Sequence, residues 1–404
     1  MKINWRKIEE YALLSVALSL PLSIALANIT LTVAMLLTVR RLIWGSGSAK
    51  ELIGGITIPL FIYIGVEFIA IFISDYPVHI GSFLEDKWVL SAYFVSFMLV
   101  RNSQTANRVV IGQLFAGALV AVYALYQFIS GYDPLRKEVL EATSCGFYMA
   151  VAQFTTHLTY GGIALIVFLI ALSKLIFSIK GTKNYWNYII TVLCAAGLIV
   201  SYARSALLGA VIAGLTIIAI TEYKFKKYIL LCSAAGLVLM FIIVPGLSTR
   251  FTNIFAGGEH GEGPRVRLWL SSIEIIKHYP IFGVGQSNFG EAFEEFHIPG
   301  RYVSIAHPHC DLLSIGVEGG IVAMLAFCFL WFVYFRKIIN LIKSNSLDEY
   351  QFLIHRIGFI VPIGILLAGL FQNYLTDAEV ANMVWFIIGL NMGLLKRNNT
   401  SIDE

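Results

Sequence analysis

Residues 203–220 read ARSALLGAVIAGLTIIAI, and beyond the arginine the run is apolar on every side. A membrane barrel strand would show about ten residues of alternating polarity instead. Lipid offers no partner for a free backbone amide, so such a run must close its own hydrogen bonds as a helix. Similar runs extend outward from it in both directions. Of the 404 residues 58% are hydrophobic and 13% charged, with mean hydropathy +0.77, whereas soluble domains carry roughly 45–50% apolar and 25% charged residues. That excludes a water-soluble enzyme. At about 20 apolar residues per crossing, the sequence predicts an all-α, polytopic integral membrane protein with about 12 transmembrane helices.

Spans are expected near 9–27, 29–44, 56–74, 88–100, 109–130, 158–179, 186–201, 203–221, 228–245, 310–335, 357–372 and 379–395. They divide the chain into an N-terminal membrane part at 1–245, a large loop at 246–309, and C-terminal spans with a tail at 310–404. Lys and Arg accumulate in cytoplasmic loops. With the N-terminus inside, only nine of the 29 basic residues fall outside: Lys87, Arg136, Lys137, Arg204, Arg250, Arg265, Arg267, Lys277 and Arg301. Both termini are therefore expected in the cytoplasm and the large loop in the periplasm. The alternative for the first span is a signal peptide, since Lys2, Arg6 and Lys7 precede an apolar run ending in Ala25-Leu26-Ala27. Apolar sequence resumes directly after Asn28, which favours an uncleaved pair of spans. Cys145, Cys194, Cys232, Cys310 and Cys328 are scattered with no C-x-x-C pair, so they predict neither a disulfide framework nor a metal cage. The net charge of +4 reflects the inner loops and contact with membrane lipids, and nucleic-acid binding has no support.

The large loop predicts short amphipathic helices. Residues 265–279 have helical spacing, with Leu268, Trp269, Ile273 and Ile276 on one side, as in a helix lying along the membrane surface. Pro280 ends it, Gly283 and Gly285 permit tight turns, and 287–296 forms a second short piece.

Several residues of this outer region could carry chemistry. Arg204, in Ser201-Tyr202-Ala203-Arg204-Ser205, lies near the hydrocarbon, where it either snorkels or has an anionic partner. Arg265 and Arg267, in Pro264-Arg265-Val266-Arg267-Leu268-Trp269, would by themselves meet lipid phosphates. His307 and His309 flank Pro308 where the loop re-enters the membrane. No Cys, Asp or Glu at ligand spacing completes a metal site around them, whereas a histidine can take a proton near neutral pH. Outward-facing guanidinium groups and one base together suit a lipid-linked phosphate or pyrophosphate. Arginine's planar fork holds phosphate oxygens and stabilises a departing anion. Glu67 is the one acidic residue well inside a predicted span, either a hydrogen-bonded buried carboxyl or part of a donor cavity.

Four motifs in order, Ser201-Tyr202-Ala203-Arg204-Ser205-Ala206-Leu207-Leu208-Gly209, Arg265-Val266-Arg267-Leu268-Trp269, His278-Tyr279-Pro280-Ile281-Phe282-Gly283-Val284-Gly285-Gln286-Ser287-Asn288-Phe289, and His309-Cys310-Asp311-Leu312-Leu313 followed by Glu318-Gly319-Gly320, resemble those of the O-antigen ligase and O-antigen polymerase superfamily of bacterial envelope glycosyltransferases. The resemblance covers about 200–320. It implies that Arg204 and Arg265, the latter in the family's R-x-x-x-W spacing to Trp269, bind the pyrophosphate of an undecaprenyl-linked glycan donor. It implies that His309 activates an acceptor hydroxyl for inverting transfer, with no metal and no cofactor. Arg267, His307 and Glu318 are second choices. Cys310 stands where the family usually has Asn or Ser, a weak thiol in place of a good hydrogen-bonding group.

Most like the ligases, the chain is expected to move a glycan from undecaprenyl pyrophosphate to lipid A-core at the periplasmic face of the bacterial inner membrane. A polymerase or a protein O-oligosaccharyltransferase would use the same donor. A lipid or solute transporter is the alternative of a different class, but no repeat relates the two halves and it leaves Arg204, Arg265 and His309 without a role.

Overall fold

A computed structural model describes residues 4–44, 52–142, 146–177, 185–220, 263–299, 302, 307–343 and 347–400. The chain is mostly helical: α1 (Trp5–Ser19), α2 (Ile24–Trp44), α3 (Thr57–Ile73), α4 (Ile80–Lys87), α5 (Ser91–Leu99), α6 (Ser103–Ser130), α7 (His157–Phe177), α8 (Tyr185–Val200), α9 (Arg204–Ile220), α10 (Gly263–His278), α11 (Phe289–Phe296), α12 (Asp311–Ile342), α13 (Glu349–Gly369) and α14 (Ala378–Thr400). Among the described residues six helices are long and apolar enough to cross a membrane, namely α2, α6, α7, α12, α13 and α14, and α3, α8 and α9 are shorter apolar helices. The architecture is that of a polytopic membrane protein. The expected ninth span at 228–245 and most of the first half of the large loop, with Cys145 and Cys232, lie outside the described residues.

Helix boundaries follow local chemistry that span-reading by hydropathy overlooks. The first break falls at 20–23 around Pro21, not at Asn28, because proline lacks the N–H that would continue the ladder. Residues 25–27 are consequently inside α2. α13 begins eight residues before its expected start at 357, because Asp348 and Gln351 form a reciprocal capping box. A two-residue antiparallel hairpin pairs β1 (Tyr132–Asp133) with β2 (Glu138–Val139), an addition to the all-α expectation. Asp133 Oδ1 makes its turn by accepting the N–H groups of Leu135 and Arg136 at 2.9 and 3.2 Å.

The helices pack as one bundle. α14 lies against α5, α13 against α9 and α7, α12 against α3, and α8 against α6 and α7. α2 turns Ile29, Val33, Leu36 and Ile43 outward as an exposed stripe, the face expected toward lipid. At the end of the bundle formed by α1, α2, α5 and α6, Glu9 is buried and pairs with Arg101 and, at 3.9 Å, with Arg41, so a charge that would be costly alone is compensated.

The two glycine-rich motifs of the loop region form a clamp. Helical geometry in α12 breaks at Gly320, whose φ of 66° and ψ of −167° no side chain favours. There the 280–285 segment pairs with 317–322. Val284 and Gly285 N–H donate to the carbonyls of Val317 and Glu318 at 2.8 and 2.9 Å, and Ile321 N–H donates to Pro280 O at 2.8 Å. A Cβ on Gly320 would stand 2.2 Å from the carbonyl oxygen of Ile281. Gly320→Ala is therefore expected to cost about 2–4 kcal/mol, from the left-handed backbone and the clash together, and to appear as a large fall in the melting temperature of the detergent-purified protein. A variant as stable as the parent would show that the clamp does not hold 311–319 in place.

α10 ends at His278, ahead of Pro280 as expected, but its buried side is Leu268, Ser271, Ser272 and Ile275. Ile273, expected on the apolar side, is 40% exposed. The reason is that α10 packs on α11 and α12, and these neighbours select the face it buries. Leu268, Ile275, Phe289, Phe293 and Val317 make a small core of their own under this outer layer.

Candidate active site

The segment 370–377, between α13 and α14, contacts Arg265, Trp269 and His309 and reaches Ser205 next to Arg204. Arg265 Nη1 donates to the carbonyl of Phe371 at 3.1 Å, and the Trp269 ring sits 6.0 Å from the Phe371 ring. The R-x-x-x-W spacing is thus one helical turn that lays both side chains on one residue. His309 Nδ1 lies 3.1 Å from Gln372 Oε1, Asn373 Nδ2 donates to Ser314 Oγ at 2.7 Å, and the Leu375 N–H donates to Asp311 Oδ1 at 3.0 Å. Tyr374 reaches the start of α9, its hydroxyl 2.9 Å from Ser205 Oγ, beside Arg204. Asp377 accepts from Thr159 Oγ1 at 2.7 Å, and burial pushes its carboxyl up to about 7.

His309 and Tyr202 share an unusual backbone. Each has a φ of 54°, and each stands two residues before a helix, α12 and α9 respectively. A left-handed non-glycine residue costs of order 1–3 kcal/mol and persists where surrounding contacts over-determine it. At His309 those contacts are Gln372 and His307, whose Nδ1 accepts the His309 N–H at 3.2 Å.

The environment of His309 defines its chemistry. Gln372 presents an oxygen to Nδ1, which places the ring proton there and leaves Nε2 with its lone pair. Nε2 is buried and has no hydrogen-bond partner among the described residues. The pKa is pulled down to about 4, chiefly by burial, then by the neighbouring His307 and Arg265, against the raising effect of Gln372. The imidazole is therefore neutral at pH 7. Cys310 does not orient it, since that work falls to Gln372, and burial raises the Cys310 thiol.

The second-choice residues separate. His307 is half-buried, its ring 4.2 Å from that of His309, and burial with Arg265 beside it lowers its pKa. Arg267 is exposed on α10, about 100° around the helix from buried Leu268. Glu318 accepts the Ser287 N–H at 3.4 Å and lines a cavity of about 50 Å³ with Glu67, Asp86, Lys87 and Gln286, which Asp311 and Leu375 also border. There Glu67 is a buried carboxyl ion-paired with Lys87 at 2.9 Å. Among the described residues no three His, Cys, Asp or Glu side chains come together as a metal site.

Residues 189–328 match the family model described as O-antigen ligase. That stretch, about a third of the chain, is similar to the O-antigen ligases. The matched stretch holds Arg204, Arg265 and His309, and the match supports the O-antigen ligase superfamily, a family of glycosyltransferase or ligase type. No curated protein matches the chain. Outside the matched stretch lies the 370–377 segment, which the sequence reading missed because Gln372, Tyr374 and Asp377 fall in a short polar turn between two apolar spans and form no motif with the residues they hold.

Proposed function

We propose that this protein is an O-antigen ligase that transfers a glycan from undecaprenyl pyrophosphate to a sugar hydroxyl of lipid A-core at the periplasmic face of the inner membrane. The observation that carries the proposal is the buried Nε2 of a neutral His309, unpartnered among the described residues, beside Arg265, both held on one loop. The acceptor hydroxyl gives its proton to Nε2 as its oxygen attacks the anomeric carbon from the face opposite the leaving group. The bond from that carbon to the pyrophosphate oxygen breaks, and its electron pair departs with undecaprenyl pyrophosphate, so configuration inverts. Arg265, and Arg204 at the N-terminal end of α9, hold the pyrophosphate; the positive end of a helix dipole adds to an anion site at Arg204.

Binding the donor changes the base as well. Arg265 disfavours a proton on His309 in the free protein. An anion on Arg265 offsets that charge and raises the affinity of Nε2 for a proton when the acceptor must lose one.

The test is purified protein in nanodiscs with undecaprenyl-pyrophosphate-linked glycan, with and without lipid A-core, in buffer and in chelator. Glycan on core only when core is supplied, in both buffers, is the expected result. A ladder of longer lipid-linked glycans without core would make the protein a polymerase. No product in any lane would refute transferase activity and favour transport.

A further inference from the structure

On α6 the side chains of Ile111, Phe115, Leu119, Val122, Tyr126 and Ile129 are all exposed. At about 100° and 1.5 Å per residue they fall within one arc of about 80° and form a straight stripe about 27 Å long. That length matches the roughly 30 Å of a bilayer's hydrocarbon core, so this is the face α6 turns to lipid. The stripe does not stop where the helix does. Ile129 is 72% exposed, and past Gly131 the β1–β2 hairpin continues it with exposed Tyr132, with Leu135 at 70% and with Val139 at 78%. Tyr132 and Val139 are cross-strand partners, so they share one face of the hairpin. Asp133 faces the other way, where it is buried and accepts the Tyr123 hydroxyl at 2.6 Å. The hairpin is thus two-sided, polar toward α6 and apolar outward.

We propose that the 132–139 hairpin is a membrane-interface anchor, which rests Tyr132, Leu135 and Val139 in the lipid leaflet at the end of the bundle that carries His309. Ser103 Oγ donates to Asp348 Oδ2 at 2.8 Å, so α6 and α13 start together and Ser130 and the 370–377 segment lie at the opposite end. Continuity with the stripe on α6 identifies the occupant. A surface that begins just past the last lipid-facing residue lies where hydrocarbon gives way to headgroups, the level at which tyrosines such as Tyr126 and Tyr132 collect. Headgroup charge is not what draws it there. Exposed Lys137 is outnumbered by exposed Glu138 and Glu141, and Arg136 donates inward to the Gln153 carbonyl at 2.9 Å. The apolar side chains supply the attraction. The anchor is also joined to the candidate active site. Phe147 stacks on Phe128 at 4.7 Å, the Phe128 ring is 6.3 Å from that of Tyr202, and the Ala150 N–H donates to Val200 O at 3.1 Å. The depth of the hairpin therefore sets the depth of the turn that leads to Arg204.

The test is photolabelling of the wild-type protein in nanodiscs with a phosphatidylcholine that carries a diazirine near the carboxyl end of one acyl chain, the adducts being assigned to residues by mass spectrometry. Adducts on Leu135 and Val139 are expected within about threefold of those on Ile129, and at the same level when anionic phospholipid is added to the disc. In the double variant Leu135→Asp/Val139→Asp, lipid adducts on 132–139 are expected to fall about tenfold while those on Ile129 stay as they were. Labelling of Leu135 and Val139 by a water-soluble diazirine and not by the lipid probe would place the hairpin in water. Labelling by neither would mean that protein covers it, a second copy or another segment of this chain. Either result overturns the anchor, and adducts that form only with anionic lipid overturn its apolar origin.

Discussion

Asparagine at His309 is expected to lower glycan transfer by about 10²–10⁴-fold, the usual worth of a positioned general base, while the protein still inserts and purifies as a folded monodisperse species. Asparagine suits this position because it tolerates the left-handed backbone better than most residues, so the φ of 54° at 309 is kept and only the titratable ring is lost. Alanine removes the same base but adds backbone strain. Comparing the two in a transfer assay and a thermal melt separates chemistry from folding. Both variants retaining transfer would show that another group deprotonates the acceptor.

Arg265→Lys is the second large effect. Lysine keeps a positive charge but presents a single point donor, so it cannot reach the Phe371 carbonyl and grip two phosphate oxygens together. Loss of a preorganised donor to the leaving group costs about 10²–10³ in rate. The loss is expected both in binding of undecaprenyl pyrophosphate and in turnover, whereas Arg267→Lys, on the exposed face of α10, is expected to change either by less than about twofold. Wild-type donor affinity in Arg265→Lys would remove that residue from the pyrophosphate site, and a large effect at Arg267 would mean that α10 presents its other face to the substrate.

Much of this organisation is legible in the chain itself, and the limits have physical causes. Helical spans are visible because lipid forbids the alternatives, and their positions are shifted only where capping or proline chemistry intervenes, as at Asp348 and Pro21. Arg204, Arg265 and His309 carry recognisable motifs. What spacing does not reveal is the turn that gathers these segments, in which Gln372, Tyr374 and Leu375 meet His309, Ser205 and Asp311, 63, 169 and 64 residues away in sequence. Glu318 shows the converse. It stands in a motif, yet the break at Gly320 directs that motif to a structural clamp and its carboxylate to the cavity shared with Glu67 and Lys87.

The central claim is that His309, held by Gln372, is the base. Its most direct test is the pH dependence of kcat/KM, which reports groups of the free protein, compared between wild type and Gln372→Leu. The wild-type profile is expected to lose activity on the acid side with a midpoint near 4, as Nε2 becomes protonated. Gln372 raises that pKa, so removing its oxygen should move the acid limb to still lower pH, while any limb belonging to the donor's phosphates is common to both proteins and stays fixed. Superimposable acid limbs in the two proteins would contradict the assignment of His309 as the group that takes the acceptor's proton.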